Sequence, residues 1–296
     1  MSWRTVVLTN RAKVEYSMGY MVIREKEVHR VFMDEIGTIL VATPAAAFTG
    51  VWVSECLKRK IKIIFCDEKR NPAGEVLPYC GSYDSSRQIR TQIRWDLEKK
   101  AQVWKAIIKE KIKNQARVLM AYGHHKEAAM LEAYEESVEE GDSTNREGHA
   151  AKVYFNALWG REFSRREPSM VNGALNYGYA IILSACNREA AASGYMTQLG
   201  LFHDNIFNPF NLGSDLMEPF RPLVDREVLS MTLENQLTAD NKKDLIKINI
   251  LNQKVIIQDR LTTVTQAIGI YSRSVFRAIE DKGPDTIAFY RLPDEG

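Results

Sequence analysis

The sequence predicts an α+β protein, with a small β-rich domain over residues 1–80 and a larger helical domain over residues 87–296. Three observations carry that expectation. The hydrophobic period changes from 2 to 3.6 a little after residue 85. Val, Ile, Tyr, Phe and Thr crowd the runs before the change. Between the two regimes lies Asn71–Ser86, with Asn-Pro-Ala-Gly, Pro78 and Gly81-Ser82-Tyr83-Asp84-Ser85-Ser86, the best linker candidate in the chain; its end, residues 81–86, is taken as the boundary.

In the first region, Thr5–Thr9, Lys13–Ile23 and Val28–Ala42 read as strands, with turn signals at Asn10-Arg11 and Glu25-Lys26. Gly19 and Gly37 permit turns or bulges inside these runs. Pro44 to Leu57 reads as a helix with Thr43 as its N-cap and Pro44 in its first turn. Ile61–Cys66 follows as a buried strand. In the second region, Ile89, Ile93, Leu97, Trp104, Ile108, Ile112 and Leu119 mark one helix running to about Tyr122. Lys105, Lys109, Lys113 and Arg117 form a fourfold-spaced basic row along it. Further helices are expected over Lys126–Glu140, Arg146–Trp159, Val171–Ser193, Asp215–Thr232 and Asp259–Lys282. Ile248–Leu251 and Lys254–Ile257 resemble a short hairpin turning at Asn252-Gln253.

Composition excludes several classes. The 296 residues are 45% hydrophobic and 26% charged, the balance of a globular domain and not of a disordered or fibrous one. No run of about 18 apolar residues is present, so no membrane span is expected. Met1-Ser-Trp-Arg starts no secretory signal. Cys56, Cys66, Cys80 and Cys186 have neither disulfide-framework nor zinc spacing, which suits a reducing cytosol. The net charge of +2 identifies no partner, but its distribution is uneven. Arg87–Arg117 holds ten Lys/Arg against three Asp/Glu, whereas Glu127–Glu147 holds eight Asp/Glu against one Arg. Such blocks are commonly offsetting solvated faces; they can also be a phosphate-binding surface beside a cation-attracting one.

Three segments could carry chemistry. Thr144-Asn145-Arg146-Glu147 fits a capping box, in which Glu147 only bonds the backbone; alternatively its carboxylate faces a cleft. His149 lies about 200° further round the helix and does not share that face. In Gly213-Ser214-Asp215-Leu216-Met217-Glu218-Pro219, Ser214 is a natural N-cap. Asp215 and Glu218 lie only about 60° apart on a helix, so they repel unless a cation lies between them. Pro219 forces a kink or restart, and the bland reading is a solvated helix start with Arg221 as counter-ion. His203 precedes this turn in a loop-like stretch. Alone it would be an ordinary histidine, but beside two carboxylates and a third from a separate helix it completes a mixed O/N set suited to Mn²⁺, and less comfortably to Mg²⁺. Walker, Gly-x-Gly-x-x-Gly and Gly-x-Ser-x-Gly motifs are absent from the sequence. Metal-assisted phosphate chemistry is the resulting expectation.

At these residues the sequence strongly resembles a known family. Asn172-Gly173-Ala174-Leu175-Asn176-Tyr177-Gly178-Tyr179-Ala180-Ile181, then Gly200-Leu201-Phe202-His203, then Ser214-Asp215-Leu216-Met217-Glu218-Pro219-Phe220-Arg221-Pro222-Leu223-Val224-Asp225 resemble the CRISPR-associated integrase family, the first Cas protein. Glu147-Gly148-x-Ala150-Ala151-x-x-Tyr154-Phe155 is similar to the same family's glutamate motif. The opening residues resemble the subgroup of type II loci. The resemblance implies an N-terminal β-sandwich joined to an α-helical catalytic domain. It implies Glu147, His203 and Glu218 as ligands of Mg²⁺ or Mn²⁺, with Asp215 and Tyr177 as supporting residues. Tyr177, like Trp95, Trp104, Trp159 and Tyr179, is first of all read as packed core. The Asp204-Asn205 step after His203 departs from many relatives and is expected to alter DNA contacts and not metal binding. The implied activity is insertion of short DNA fragments into a repeat array by transesterification, a 3′-hydroxyl attacking a phosphodiester; a hydrolytic, metal-dependent endonuclease is the alternative, and a non-catalytic DNA-binding scaffold a further rival. Implied partners are double-stranded DNA (fragment and repeat), a second copy in a homodimer, and the second Cas protein in a heterohexamer, with the type II accessory ring protein and effector nuclease as further candidates. Arg87, Arg90, Arg94, Arg146, Arg161, Arg165 and Arg166 are the expected phosphate contacts.

Overall fold

The computed structural model describes residues 4–67, 72–76, 82, 84–233 and 249–293. These divide into two compact units, Met1–Ser85 with Ala191–Gly194, and Ser86–Ala190 with Tyr195–Gly296.

The first unit is β-rich. β1 (Arg4–Leu8), β5 (Ile36–Val41), β7 (Lys62–Cys66) and β8 (Pro72–Val76) form one four-stranded sheet, in that order. β4 (Val28–Phe32), β3 (Tyr20–Arg24), β2 (Lys13–Ser17) and β6 (Ala47–Phe48) form the other. Met18 and Gly19, both at positive φ, turn β2 into β3. The pairing of β1 with β5 jumps from Ile36 to Thr38 and so bulges at Gly37, as the two glycines suggested. Leu8, Val14, Met21 and Ile23 meet Ile39, Val41 and Ile63 in one core, which α1 (Gly50–Lys58) joins through Trp52 and Cys56. The two sheets therefore share a single apolar interior, the sandwich arrangement.

Two expectations here are corrected. The helix starts at Gly50, capped by Thr49 and not by Thr43, because Ala47–Phe48 is drawn into a parallel ladder with β2. Within the segment read as linker, Pro72–Val76 is a strand paired antiparallel to β7, so sheet pairing overrides the local turn signals there. Residues 71, 77–81 and 83 of that segment lie outside the described residues.

The second unit is mainly helical. α2 (Ser85–Ile93) and α3 (Leu97–Ala121) replace the single helix expected, because Asp96 caps a new start by accepting from the Lys99 amide at 3.0 Å. Ile93 and Leu97 are accordingly exposed, not part of the apolar stripe. From Trp104 onward the stripe is buried, and α4 (His125–Glu136), α5 (Arg146–Trp159) and α8 (Arg221–Leu233) pack on α3. α6 (Met170–Ala192) passes close to α8 at Gly178, where a β-carbon would collide with Val224. α7 (Asn211–Met217) begins before the expected cap, so Ser214 lies inside it and bonds the Phe210 carbonyl at 2.9 Å. Pro219 then sits in a 3-10 turn, Glu218–Phe220, between α7 and α8, the restart expected of it.

The hairpin near the end is displaced from the one expected. Its strands are β9 (Lys254–Ile257) and β10 (Arg260–Thr263), turning at Gln258-Asp259, both at positive φ. Asn249–Asn252 is a helical turn, while residue 248 lies outside the described residues. α9 starts only at Val264 and runs to Arg277, with Thr263 and Gln266 in a reciprocal capping box. A pi turn, Ala278–Lys282, completes the expected helical stretch.

Candidate active site

Glu147 sits in the first turn of α5. That start is capped by Asn145, in the left-handed region (φ 52°, ψ 44°), which accepts from the Gly148 amide at 3.3 Å. Asp142 accepts from the Arg146 and Glu147 amides at 2.7 and 3.1 Å. The capping-box reading of Thr144 and Glu147 is thereby overturned: neighbouring side chains already satisfy the orphan amides. Glu147 instead presents Oε1 to the Lys111 ammonium at 2.5 Å.

The same ammonium donates to Glu218 Oε2. Glu218 comes from the proline-bearing turn, whose Pro219 carbonyl accepts from Asn114 Nδ2 and from the Tyr290 hydroxyl, each at 3.1 Å. Those two bonds hold the break in the helix in place. The other oxygen of Glu218, Oε1, accepts from Arg221 Nε at 2.8 Å. Burial would push the Glu218 carboxyl up, but the charges of Arg221 and Lys111 bring it down to about 2. Burial likewise opposes the Lys111 ammonium, and Glu218 and Glu147 outweigh it and raise its pKa.

His203 is positioned from behind by Asp215. Asp215 Oδ1 meets His203 Nδ1 at 2.6 Å, and the two carboxylate oxygens also accept from the amides of Leu201, Phe202 and His203 at 2.5, 3.2 and 3.1 Å. The loop can approach so closely because residue 200 is glycine; a β-carbon there would strike the His203 carbonyl and Asp215 Oδ2. Trp104, fully buried, stacks on Phe202 at 4.6 Å, and both rings meet the imidazole edge-on at 5.7 and 5.8 Å. With Nδ1–H given to Asp215, the Nε2 lone pair is the one left to act. The bond to Asp215 raises the His203 pKa against burial, and the charges of Glu218 and Glu147 add to it.

The structure thus brings Glu147 and Glu218 together on the Lys111 ammonium, and pairs His203 with Asp215. Among the described residues it presents no ready-made group of three His, Cys, Asp or Glu side chains for a metal. The Lys111 ammonium contacts both glutamates. Tyr177 is buried in α6. Tyr179, on the same helix, joins the site: its ring lies 4.6 Å under the Arg221 guanidinium, and its hydroxyl donates to Asp225. Burial raises Asp225 to about 6, against the Tyr179 and Tyr154 hydroxyls.

Of the arginines, Arg87, Arg90 and Arg94 are exposed and, with Lys99, line a cavity of about 720 Å³ that also receives Glu280 and Asp281. Arg146 lies 5.8 Å from the Tyr134 ring, and Arg161 and Arg166 are exposed. Arg165 is partly buried, bonding Asn172 and Asn176 between the rings of Phe155 and Tyr179.

Lys111, Trp104, Tyr179 and Asp225 are parts of this site that sequence reasoning did not assign to it. Lys111 carried a signal: it follows Ile108 by three positions and Trp104 by seven, which places a lysine on the buried stripe of α3. A lysine there needs buried carboxylates to face.

A two-unit chain, β-rich then helical, that gathers two glutamates, an aspartate-held histidine and a lysine defines a class of polar, charge-compensated site suited to phosphate chemistry. The comparisons with known proteins identify the family. Residues 5–258 match the family model described as CRISPR associated protein Cas1. The chain is 32% identical over 299 residues to the CRISPR-associated endonuclease Cas1 of Neisseria meningitidis serogroup C (strain 8013), covering 99% of this chain and 97% of that one. It belongs to the Cas1 family. Its fold is similar to a casposase bound to integration product (TM-score 0.78, 18% identity, 95% of this chain and 91% of that one). It is also similar to a chain of a Cas6-RT-Cas1–Cas2 complex (TM-score 0.75, 17% identity, 96% of this chain), where it spans 36% of that longer chain.

Proposed function

We propose that this chain is the integrase of CRISPR adaptation, joining short DNA fragments to a repeat array by attack of a 3′-hydroxyl on a phosphodiester. The observation that carries the reading is the convergence of Glu147 and Glu218, from separate helical elements, on one positive charge beside the Asp215-held His203. That donor set fits a divalent cation, Mg²⁺ or Mn²⁺: two carboxylates that already share a cation, and an imidazole whose free nitrogen is Nε2. Glu147, Glu218 and His203 would hold it. When bound, such a cation polarises a phosphate oxygen and steadies developing negative charge. Arg221 keeps Glu218 ionised and fixed in direction. Asp215 keeps the His203 tautomer and ring orientation, so that Nε2 can ligate or carry a proton.

The fold likeness to a casposase caught with integration product supports joining over cutting alone, and the likeness to a Cas1-containing complex with Cas2 supports a Cas2 partner. A homodimer, the type II accessory protein and the effector nuclease follow as further candidate partners, in the prokaryotic cytosol. Hydrolysis by the same residues, as the endonuclease name of the Neisseria relative suggests, is the second reading. Incubation with a supercoiled repeat plasmid and a fragment bearing a free 3′-hydroxyl separates them. Joined product that disappears with a dideoxy end supports transesterification; nicked plasmid without joined product in either case overturns it.

The exposed arginines are read as the DNA track. If they neutralise about six to ten phosphates, affinity falls roughly 10³–10⁵-fold between 50 and 200 mM salt. Fluorescence anisotropy over that range checks it, and a flat response removes the arginines from the interface.

A further inference from the structure

We propose that Lys111 is a resident counter-cation of the Glu147–Glu218 pair, holding the two carboxylates together in the absence of metal and competing with a divalent cation for them. The inference rests on the metal-dependent reading above and concerns this chain's own lysine.

The side chain is only 8% exposed, yet its ammonium reaches both glutamates. Two carboxylates brought together in a largely buried place repel unless a cation separates them. Lys111 and Arg221 bring two positive charges to the two negative ones, so the cluster is balanced without a metal. The two basic residues divide the work. Arg221 takes Glu218 Oε1 from the side of α8, whereas Lys111 takes Oε2, the oxygen turned toward Glu147. Among the described residues Lys111 is the cation that contacts both glutamates, and a divalent ion shared by them would compete with it for Glu147 Oε1 and Glu218 Oε2. Arg221, with the Tyr179 ring under its guanidinium, stays behind Glu218. Lysine suits a displaceable role, since its point charge rides on a flexible stem and arginine's planar fork does not. Lys111 would therefore leave at least one carboxylate if a divalent ion bound there, one ammonium being exchanged for one cation.

The test is metal binding by the full-length chain without DNA, measured by isothermal titration calorimetry with MnCl₂ at fixed pH. Lys111→Met keeps the length and removes the charge; it is expected to bind Mn²⁺ about tenfold more tightly or better than the wild type. Lys111→Arg keeps the charge and is expected to bind no more tightly than the wild type. A folded Met variant, by circular dichroism, with equal or weaker affinity overturns the proposal. Should that variant not fold, the wild type supplies the readout: the Lys111 ammonium nitrogen resonance, assigned by its loss in Lys111→Arg, is expected to shift with MgCl₂. A resonance unmoved at saturating Mg²⁺ overturns the proposal as well. Absence of metal binding by every protein, wild type included, overturns the functional reading and this inference with it, whereas equal binding by wild type and Met variant defeats only the inference.

Discussion

Two faces of α3 carry lysines, and they live in different physical worlds. Lys105, Lys109 and Lys113 lie on the outer side, where Lys109 reaches Glu135 at 3.1 Å with both side chains partly in water. Lys111, two residues from its neighbours, points inward and is held by two glutamates away from solvent. An exposed pair gains little over hydration and is screened by salt. A buried ammonium has no such alternative, so its carboxylates become obligatory and their positions become fixed. The same residue type thus yields a replaceable surface charge on one face and the organising charge of a site on the other.

Breaking the inner cluster is expected to have the largest effect. Glu218→Ala leaves Lys111 and Arg221 without their shared carboxylate, and a buried pair stripped of one partner costs about 3–5 kcal/mol. Urea denaturation reads the loss, and plasmid joining is expected to vanish in the folded fraction; a folded variant that still joins removes Glu218 from the site. Asp215→Asn sharpens the role of the histidine. It removes the charge and turns one of the two acceptor oxygens that fix the Nδ1–H tautomer and the loop amides into a donor, and is expected to cost about 10- to 100-fold in activity or metal affinity. An unchanged pH–rate profile would show that Asp215 does not act through His203.

Asp225 probes the buried polar network behind Arg221. Its folded pKa, raised by burial to about 6, lies above the ordinary aspartate value of 3.8. The native state therefore holds this proton more firmly, and the stability it adds is present at low pH and lost as pH rises through about 6. Asp225→Asn has no such term. Relative to the wild type it is expected to gain about 1 kcal/mol between pH 5 and pH 7, and a stability difference that stays constant over that range contradicts the shift. Lys109→Ala, on the outer face, is expected to change stability by a few tenths of a kcal/mol; a loss comparable to Glu218→Ala would erase the distinction between the two faces.

Much of the fold was legible because its signals are local. Alternation and β-branched residues mark the N-terminal strands, and the α5 boundaries expected from the periodic pattern are those observed, Arg146–Trp159. The errors fall where a distant element intervenes. Pro72–Val76 looks like linker until β7 offers it a ladder, and the cap of α5 looks like Thr144 until Asp142 takes two of its amides. Glu147, His203, Asp215 and Glu218 were visible as motifs; Lys111 is one of ten Lys/Arg over residues 87–117, and only its burial against distant carboxylates sets it apart.

By itself the sequence determined the order of β-rich and helical regions, the proline-marked restart at Glu218 and the side chains available for chemistry. Those follow from backbone propensity, hydrophobic period and residue type, all properties of near neighbours. Only the tertiary structure decided which charge faces which: that one lysine from the middle of α3 separates glutamates 36 and 107 residues further along the chain. Burial sets that choice, since the preference for a particular partner becomes strong only once water is excluded.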